Sequence, residues 1–122
     1  MDFGRFIAQL RDGKGLSLRE LERRAADLNH VYIWRLEKGD RDAPSETTVD
    51  KLSKALELTP REQEILSLLL KTEIDDNLFD LMVADPHIPI EDIEPVATMS
   101  FRGNRPTDQA GWRKLIDLVK SF

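Results

Sequence analysis

Side chains able to carry out covalent chemistry are few in this sequence and lie far apart. The 122 residues contain no cysteine and two histidines, His30 and His87. Zinc-dependent hydrolysis needs clustered ligands such as the HExxH pattern, and neither histidine belongs to one. The run Gly13-Lys14-Gly15 is typical of a helix end followed by a turn, not of a glycine-rich phosphate loop. The sequence therefore predicts a protein that is not an enzyme and needs no metal or cofactor.

A denser group of hydrogen-bonding side chains lies between Ser17 and Gly39, on two predicted helices. His30, Val31 and Arg35 occupy the first, second and sixth positions of the second helix and point away from its apolar side. Arginine can donate two parallel hydrogen bonds to guanine, and a valine methyl suits the methyl group of thymine. We interpret these three residues as candidate contacts to base edges in the major groove of DNA.

Hydroxyl, ring N–H and basic side chains around the same helices are suited to phosphates. Phosphate contacts position a protein on DNA without reading its sequence. Tyr32 and Trp34 have half-buried packing as an alternative role, and Glu37 is expected to order the local structure through hydrogen bonds. The candidate phosphate contacts are Ser17, Arg19, Tyr32, Trp34, Lys38 and Arg41.

Both helices have recognisable starts and apolar stripes. Ser17 followed by Glu20 is a capping-box pattern, and Asn29 is a favourable N-cap for the second helix. Apolar residues at helical spacing then predict one buried face on each helix. The positions expected to face the core are Leu18, Leu21, Ala25, Leu28, Ile33 and Leu36. Two short helices with an outward reading face are the layout of a helix-turn-helix.

The stretch SLRELERRAADLNHVYIWRLEKG, residues 17–39, resembles the helix-turn-helix of the Cro/CI-type (XRE) bacterial repressors. The likeness continues upstream in FGRFIAQLRDGKGLS and downstream in TTVDKLSKALELT. It implies an all-α fold, with a five-helix, lambda-repressor-like DNA-binding domain and a homodimer that binds double-stranded operator DNA. The sequence departs from the family pattern in a turn about one residue longer, in Glu22 where a small residue is usual, and in a turn without glycine.

Five helices are expected in the first part of the chain, at about 2–12, 17–26, 30–37, 45–57 and 60–71. Thr59-Pro60-Arg61-Glu62 is a clear start signal for the fifth. We predict a DNA-binding domain over 1–71 and a small helical dimerisation and regulatory region over 72–122. Prolines at 86, 89 and 95 predict only a single helical turn near Pro89 to Ile93, and Thr107 is expected to cap the last helix.

The last predicted helix has one apolar stripe. Its members are Trp112, Leu115, Ile116, Val119 and Phe122. The stripe can pack inside its own subunit, or it can form the homodimer interface that repressors of this type need to bind two half-sites. The sequence leaves both alternatives open.

The run Ser100-Phe101-Arg102-Gly103-Asn104-Arg105-Pro106 resembles the tail of repressors cut by ImmA/IrrE-type zinc metallopeptidases, such as the radiation-response repressors of Deinococcus. That resemblance covers about 22 residues. It implies a cleavable linker at 100–106 with Phe101-Arg102 as the scissile bond. Cleavage would then end repression in a stress or DNA-damage response. The alternative is a plain loop between helices, since glycine, asparagine and proline favour turns.

Charge divides the chain unevenly. Residues 1–71 hold 13 basic and 13 acidic side chains, whereas 72–122 hold 5 and 10, which together give the net charge of −5. A local basic patch from Arg11, Lys14, Arg19, Arg35, Lys38 and Arg41 is expected to favour DNA despite the acidic total. No signal peptide or membrane span is evident, so a cytoplasmic protein is expected. An antitoxin that masks a toxin and regulates its own operon remains an alternative, as does a fold that no longer binds DNA.

Overall fold

The computed structural model describes residues 1–26, 28–39 and 44–122, and within these ranges the regular secondary structure is all α-helix. The helices of the described residues are α1 (Phe3–Gly13), α2 (Leu18–Arg24), α3 (His30–Lys38), α4 (Glu46–Ala55), α5 (Pro60–Leu69), α6 (Asp76–Ala84), α7 (Ile90–Ala97) and α8 (Gln109–Lys120). The all-α prediction is therefore confirmed. No helix among the described residues is both long and apolar enough to cross a bilayer.

The chain forms two compact units, Asp2–Leu66 and Met1 together with Ser67–Phe122. The division lies within α5, a few residues before the boundary that the sequence analysis placed after Lys71. In the unit Asp2–Leu66, α3 packs against both α1 and α2. Its fully buried side chains are Ile7, Leu21, Ile33, Leu52, Leu56, Ile65 and Leu66.

Local start and stop signals set most of the helix ends in this unit. The Thr59 hydroxyl accepts a hydrogen bond from the Glu62 backbone N–H, and Glu62 Oε1 accepts one from the Thr59 backbone N–H. This reciprocal capping confirms the predicted start of α5. At the end of α1, Gly15 takes φ +65° while its N–H bonds to the Asp12 carbonyl, so a glycine without Cβ closes the helix.

In the C-terminal unit, α8 packs against α6 and α7. The buried core of this unit includes Ile74, Leu78, Leu81, Met82, Ile93, Val96, Trp112 and Ile116. Trp112 also donates its ring N–H to Asp75 Oδ1 at 3.2 Å, which satisfies the polar atom of an otherwise apolar residue.

Two expectations for this region are wrong. A single turn was predicted near Pro89, but α7 extends over Ile90–Ala97 with Pro95 inside it. Proline removes only one i→i−4 hydrogen bond there, and the burial of Ile93 and Val96 stabilises the helix. The cap of α8 is Asp108, whose side chain accepts from the Gly111 N–H at 2.7 Å, and not Thr107.

Candidate nucleic-acid interface

Helix α2, the first helix of the predicted helix-turn-helix, begins at a complete capping box. The Ser17 hydroxyl accepts the Glu20 backbone N–H at 3.1 Å, and Glu20 Oε1 accepts the Ser17 backbone N–H at 3.2 Å. The hydrogen bond with the Ser17 backbone is the main reason that the pKa of Glu20 lies below its ordinary value. The predicted start of this helix is confirmed, and Ser17 remains exposed beside Arg19.

The turn after α2 contains a residue in the left-handed region. Ala26 has φ +50°, a conformation that a glycine adopts without steric cost. Asn29 then caps α3, because its side chain accepts the Val31 N–H at 2.8 Å. The predicted N-cap is therefore confirmed. Because the turn has no glycine, Ala26 takes the left-handed conformation and its backbone is strained.

A second cap on α3 comes from α2. Glu22 Oε1 accepts the backbone N–H of His30 at 2.6 Å and lies 2.9 Å from the ring nitrogen Nδ1 of the same residue. These bonds, the one with the His30 ring first, lower the pKa of Glu22 below its ordinary value. The sequence analysis noted Glu22 only as a departure from the family pattern and missed this role. The sequence signal for this cap was a carboxylate eight residues before His30, the first residue of the second helix.

The other end of α3 is attached to α1 by an ion pair. Arg11 Nε bonds Glu37 Oε2 at 2.7 Å and Arg11 Nη2 bonds Glu37 Oε1 at 2.9 Å, with Glu37 only 5% exposed. The hydrogen bond with Glu37 raises the pKa of Arg11. The expectation that Glu37 orders the local structure is confirmed. Arg11 was expected in the basic patch facing DNA, but its guanidinium is engaged within the fold.

A close approach between the α1 and α3 backbones accompanies this pair. A Cβ built on Gly4 would overlap the carbonyl oxygen of Leu36 and lie 2.7 Å from that of Glu37. Glycine is therefore required at this position for α1 to lie so near to α3. At the end of α3, Gly39 takes φ +75° and its N–H bonds back to Leu36.

With α3 held at both ends, its outward face is open. Val31 and Trp34 are 45% and 44% exposed, and Arg35 and Lys38 are also exposed. These four residues follow the i, i+3, i+4, i+7 spacing of one helix face, with Ile33 and Leu36 buried on the other. Of the remaining predicted contacts, His30 and Tyr32 are half-buried, and Arg41 lies outside the described residues.

A family comparison agrees with this geometry. A protein-family model described as "Helix-turn-helix domain" matches residues 2–66, more than half of the chain. The chain belongs to this helix-turn-helix family. No curated protein matched the chain. The second helix of a helix-turn-helix motif is the one that lies in the major groove, and α3 has this position in the motif. The match supports a DNA-binding regulator.

The tail of this helix-turn-helix protein holds the other predicted sites. Phe101 is half-buried with its ring edge-on to Trp112, at 5.9 Å between centroids, and the Arg105 guanidinium lies 5.3 Å over it. Arg102 is exposed, and the segment from Met99 to Asp108 contains no helix. Phe101 thus anchors the predicted linker to the C-terminal unit.

The apolar stripe of α8 divides into two faces. Trp112 and Ile116 are buried within the C-terminal unit, so they contribute to the core of their own subunit. Leu115 and Val119 are half-buried, and Phe122 is 99% exposed. Leu118, which the sequence analysis did not single out, is 56% exposed. Within the described residues no cluster of acidic or histidine side chains has the geometry to hold a metal ion.

Proposed function

We propose that this protein is an operator-binding transcriptional repressor that acts as a homodimer. The observation that carries the proposal is the outward face of α3, where Val31, Trp34, Arg35 and Lys38 are exposed while the helix is fixed from behind. Isolated apolar residues are common on surfaces, but Val31 and Trp34 lie beside two cations on a reading helix. That combination suits the floor of a major groove lined by phosphates.

Charge supports a moderate, salt-dependent affinity. Residues 1–71 are balanced in charge, so long-range attraction to DNA is weak compared with that of a basic domain. Arg19, Arg35 and Lys38 are exposed near α2 and α3 and supply local cations. We assign base contacts to His30, Val31 and Arg35, and phosphate contacts to Ser17, Arg19, Tyr32, Trp34 and Lys38. Arg41 keeps the same proposed role.

The test is a mobility-shift titration of the purified chain on DNA from its own promoter, over a salt series. Arg35→Ala is expected to lower specific affinity about 5- to 150-fold, the range for a bidentate guanine contact. Lys54→Ala, which removes an exposed cation from α4, is the charge-matched control and should change affinity little. Equal losses in both variants, or no binding at low salt, would contradict the repressor proposal. The second result would favour a partner-masking protein whose helix-turn-helix fold no longer binds DNA.

The outer surface of α8, defined as Leu115, Leu118, Val119 and Phe122, is the proposed homodimer interface. Its support is the exposure of Leu118 and Phe122 on a helix whose opposite side is already buried. Sedimentation equilibrium should find a dimer for the wild type and a shift toward monomer for Leu118→Lys. Val83→Lys replaces an equally exposed apolar residue on α6 and is the control. A monomeric wild type, or equal effects of both substitutions, would refute this interface.

We further propose inactivation by a partner ImmA/IrrE-type zinc metallopeptidase that cuts Phe101-Arg102 in a stress or DNA-damage response. The support is a non-helical linker directly before α8, in which Arg102 is exposed while Phe101 is half-buried against Trp112. After such a cut, only non-covalent contacts with α6 and α7 retain α8 in its unit. Loss of α8 would remove the proposed dimer interface.

Incubation with a purified peptidase of this type should yield a fragment ending at Phe101, identified by intact mass. Phe101→Asp is expected to abolish cleavage, whereas Thr107→Ala, a change beyond the linker, should leave it unchanged. Inactive peptidase is the second control. Cleavage at another bond, or none at all, would refute the assignment of the scissile bond.

A further inference from the structure

The contact between Glu22 and His30 joins an acidic side chain to a residue in the proposed reading surface. The same carboxylate oxygen accepts from the His30 backbone N–H at 2.6 Å and lies 2.9 Å from Nδ1 of its ring. Both side chains are 30% exposed, so water still reaches part of the pair. A plain helix cap needs only the backbone bond, and the ring contact is additional.

The ring contact fixes which nitrogen carries the proton. A carboxylate is only an acceptor, so a neutral imidazole beside Glu22 holds its proton on Nδ1 and leaves Nε2 as an acceptor. In the major groove, the exocyclic amino groups of cytosine and adenine are donors that match an acceptor. A protonated ring presents N–H at Nε2 instead, and that donor matches O6 or N7 of guanine.

We infer that Glu22 is a positioning residue that sets the base preference of His30, an inference that rests on the proposed DNA-binding function. In the neutral state the pair selects a cytosine or adenine amino group, and on protonation it changes its preference toward guanine. The specificity of one base pair in the operator is thereby linked to pH.

Besides Glu22, helix α2 carries four charged side chains, which are Arg19, Glu20, Arg23 and Arg24. Arg19, on α2 itself, acts on the Glu22 carboxylate through space. On α3 the next charged side chain after His30 is Arg35, more than one turn away. Helix α1, which also packs against α3, contributes Arg11, and this guanidinium is bound to Glu37 at the opposite end of α3.

The first experiment needs no DNA. Nitrogen-15 NMR of the free protein distinguishes the two neutral tautomers of each histidine, and His87→Gln assigns the signals because the chain has only two histidines. We expect His30 to hold its proton on Nδ1 in the wild type and to lose that preference in Glu22→Ala. An Nε2-protonated His30 in the wild type would overturn the inference.

The second experiment measures base preference. The wild type, His30→Ala, Glu22→Ala and Glu22→Gln are each titrated against operators that carry every base at each position, between about pH 5 and pH 8, where histidine changes charge. The position at which His30→Ala loses discrimination is the pair that His30 reads. There the wild type should favour an amino-bearing base about 5- to 10-fold at the upper pH, as for a single good base contact. The preference should shift to guanine at the lower pH.

The glutamate variants separate positioning from simple capping. Glu22→Ala should flatten the preference at this one pair, whereas a purely structural cap would lower affinity equally for all operators. Glu22→Gln keeps an acceptor for both N–H groups, so it should retain the preference for an amino-bearing base at the upper pH. Unchanged base profiles in Glu22→Ala or His30→Ala would overturn the inference while leaving DNA binding intact. No DNA binding by the wild type would instead overturn the proposed function and, with it, base reading.

Discussion

Replacing Arg11 with methionine is expected to destabilise the helix-turn-helix unit more than any exposed charge substitution. The guanidinium donates to both oxygens of Glu37, at 2.7 and 2.9 Å, and to the Leu16 carbonyl at 2.9 Å. Methionine keeps most of the apolar stem of arginine but donates nothing. The Glu37 carboxylate, 5% exposed, would then lack the donors that offset its removal from water.

The magnitude follows from the burial of the pair. Breaking a buried ion pair costs about 3 to 5 kcal/mol because one charge stays uncompensated, whereas exposed pairs contribute about 0 to 1 kcal/mol. Arg11 is 16% exposed, so water partly reaches the pair, and we expect a loss of about 2 to 4 kcal/mol. Glu37→Met should cost a similar amount. The double variant should be less destabilised than the sum of both, because replacing both partners by apolar groups is often nearly neutral.

Urea unfolding followed by far-UV circular dichroism gives the free energy of unfolding of the wild type and the three variants. The coupling energy between Arg11 and Glu37 should be about 2 kcal/mol or more, by the argument for a buried pair. The control cycle uses Lys71 and Glu94, which are 2.8 Å apart but 62% and 39% exposed, and should give less than about 1 kcal/mol. Equal coupling in the two cycles would refute the reasoning from burial.

Three further predictions concern the backbone and acid stability. Ala26→Gly should raise the free energy of unfolding by about 0.5 to 1 kcal/mol, because the relief of a left-handed φ outweighs the added entropy of the unfolded chain. A lower free energy of unfolding than that of the wild type, measured by urea denaturation, would contradict this. Gly4→Ala should lower it by about 1 to 3 kcal/mol because the new Cβ overlaps the Leu36 carbonyl, and a wild-type melting temperature would contradict that overlap. The pKa of Glu20 is lower in the folded than in the unfolded chain, so its contribution is full above the ordinary value of 4.5 and is lost as pH falls below it. Glu20→Gln, which removes the titrating carboxylate, should therefore flatten the acid limb of a stability-against-pH curve, and an unchanged limb would show that this cap does not titrate.

Features set by neighbouring residues could be predicted from the sequence. The caps at Ser17, Asn29 and Thr59 depend on contacts two or three residues away, and the pattern of polar and apolar residues is enough to place them. The buried positions Ile33 and Leu36 follow from helical periodicity in the same way. The exposure of Val31, Trp34 and Arg35 could therefore be anticipated, whereas His30, expected on the same face, is half-buried.

Features set by packing between helices could not be predicted from the sequence. Arg11 and Glu37 are far apart in the chain, and their pairing depends on how closely α1 approaches α3 at Gly4. Helix α7 was underestimated for the same reason, because burial of Ile93 outweighs the local penalty of Pro95. In both cases a tertiary contact decides between local options that the sequence leaves nearly equal.

Two departures of this motif from the repressor pattern, the turn without glycine and Glu22, have a common physical explanation. Without glycine in the turn, Ala26 occupies a strained φ, and such strain persists only where the surrounding structure holds it. Glu22 reaches across that turn and bonds the first N–H of α3, which a small side chain at this position would be too short to do. The carboxylate therefore ties α2 to α3 directly, so the orientation of the reading helix depends less on the turn residues. The same carboxylate oxygen also lies 2.9 Å from the His30 ring, so the residue that compensates for the turn is also the one that we propose sets the base preference of His30.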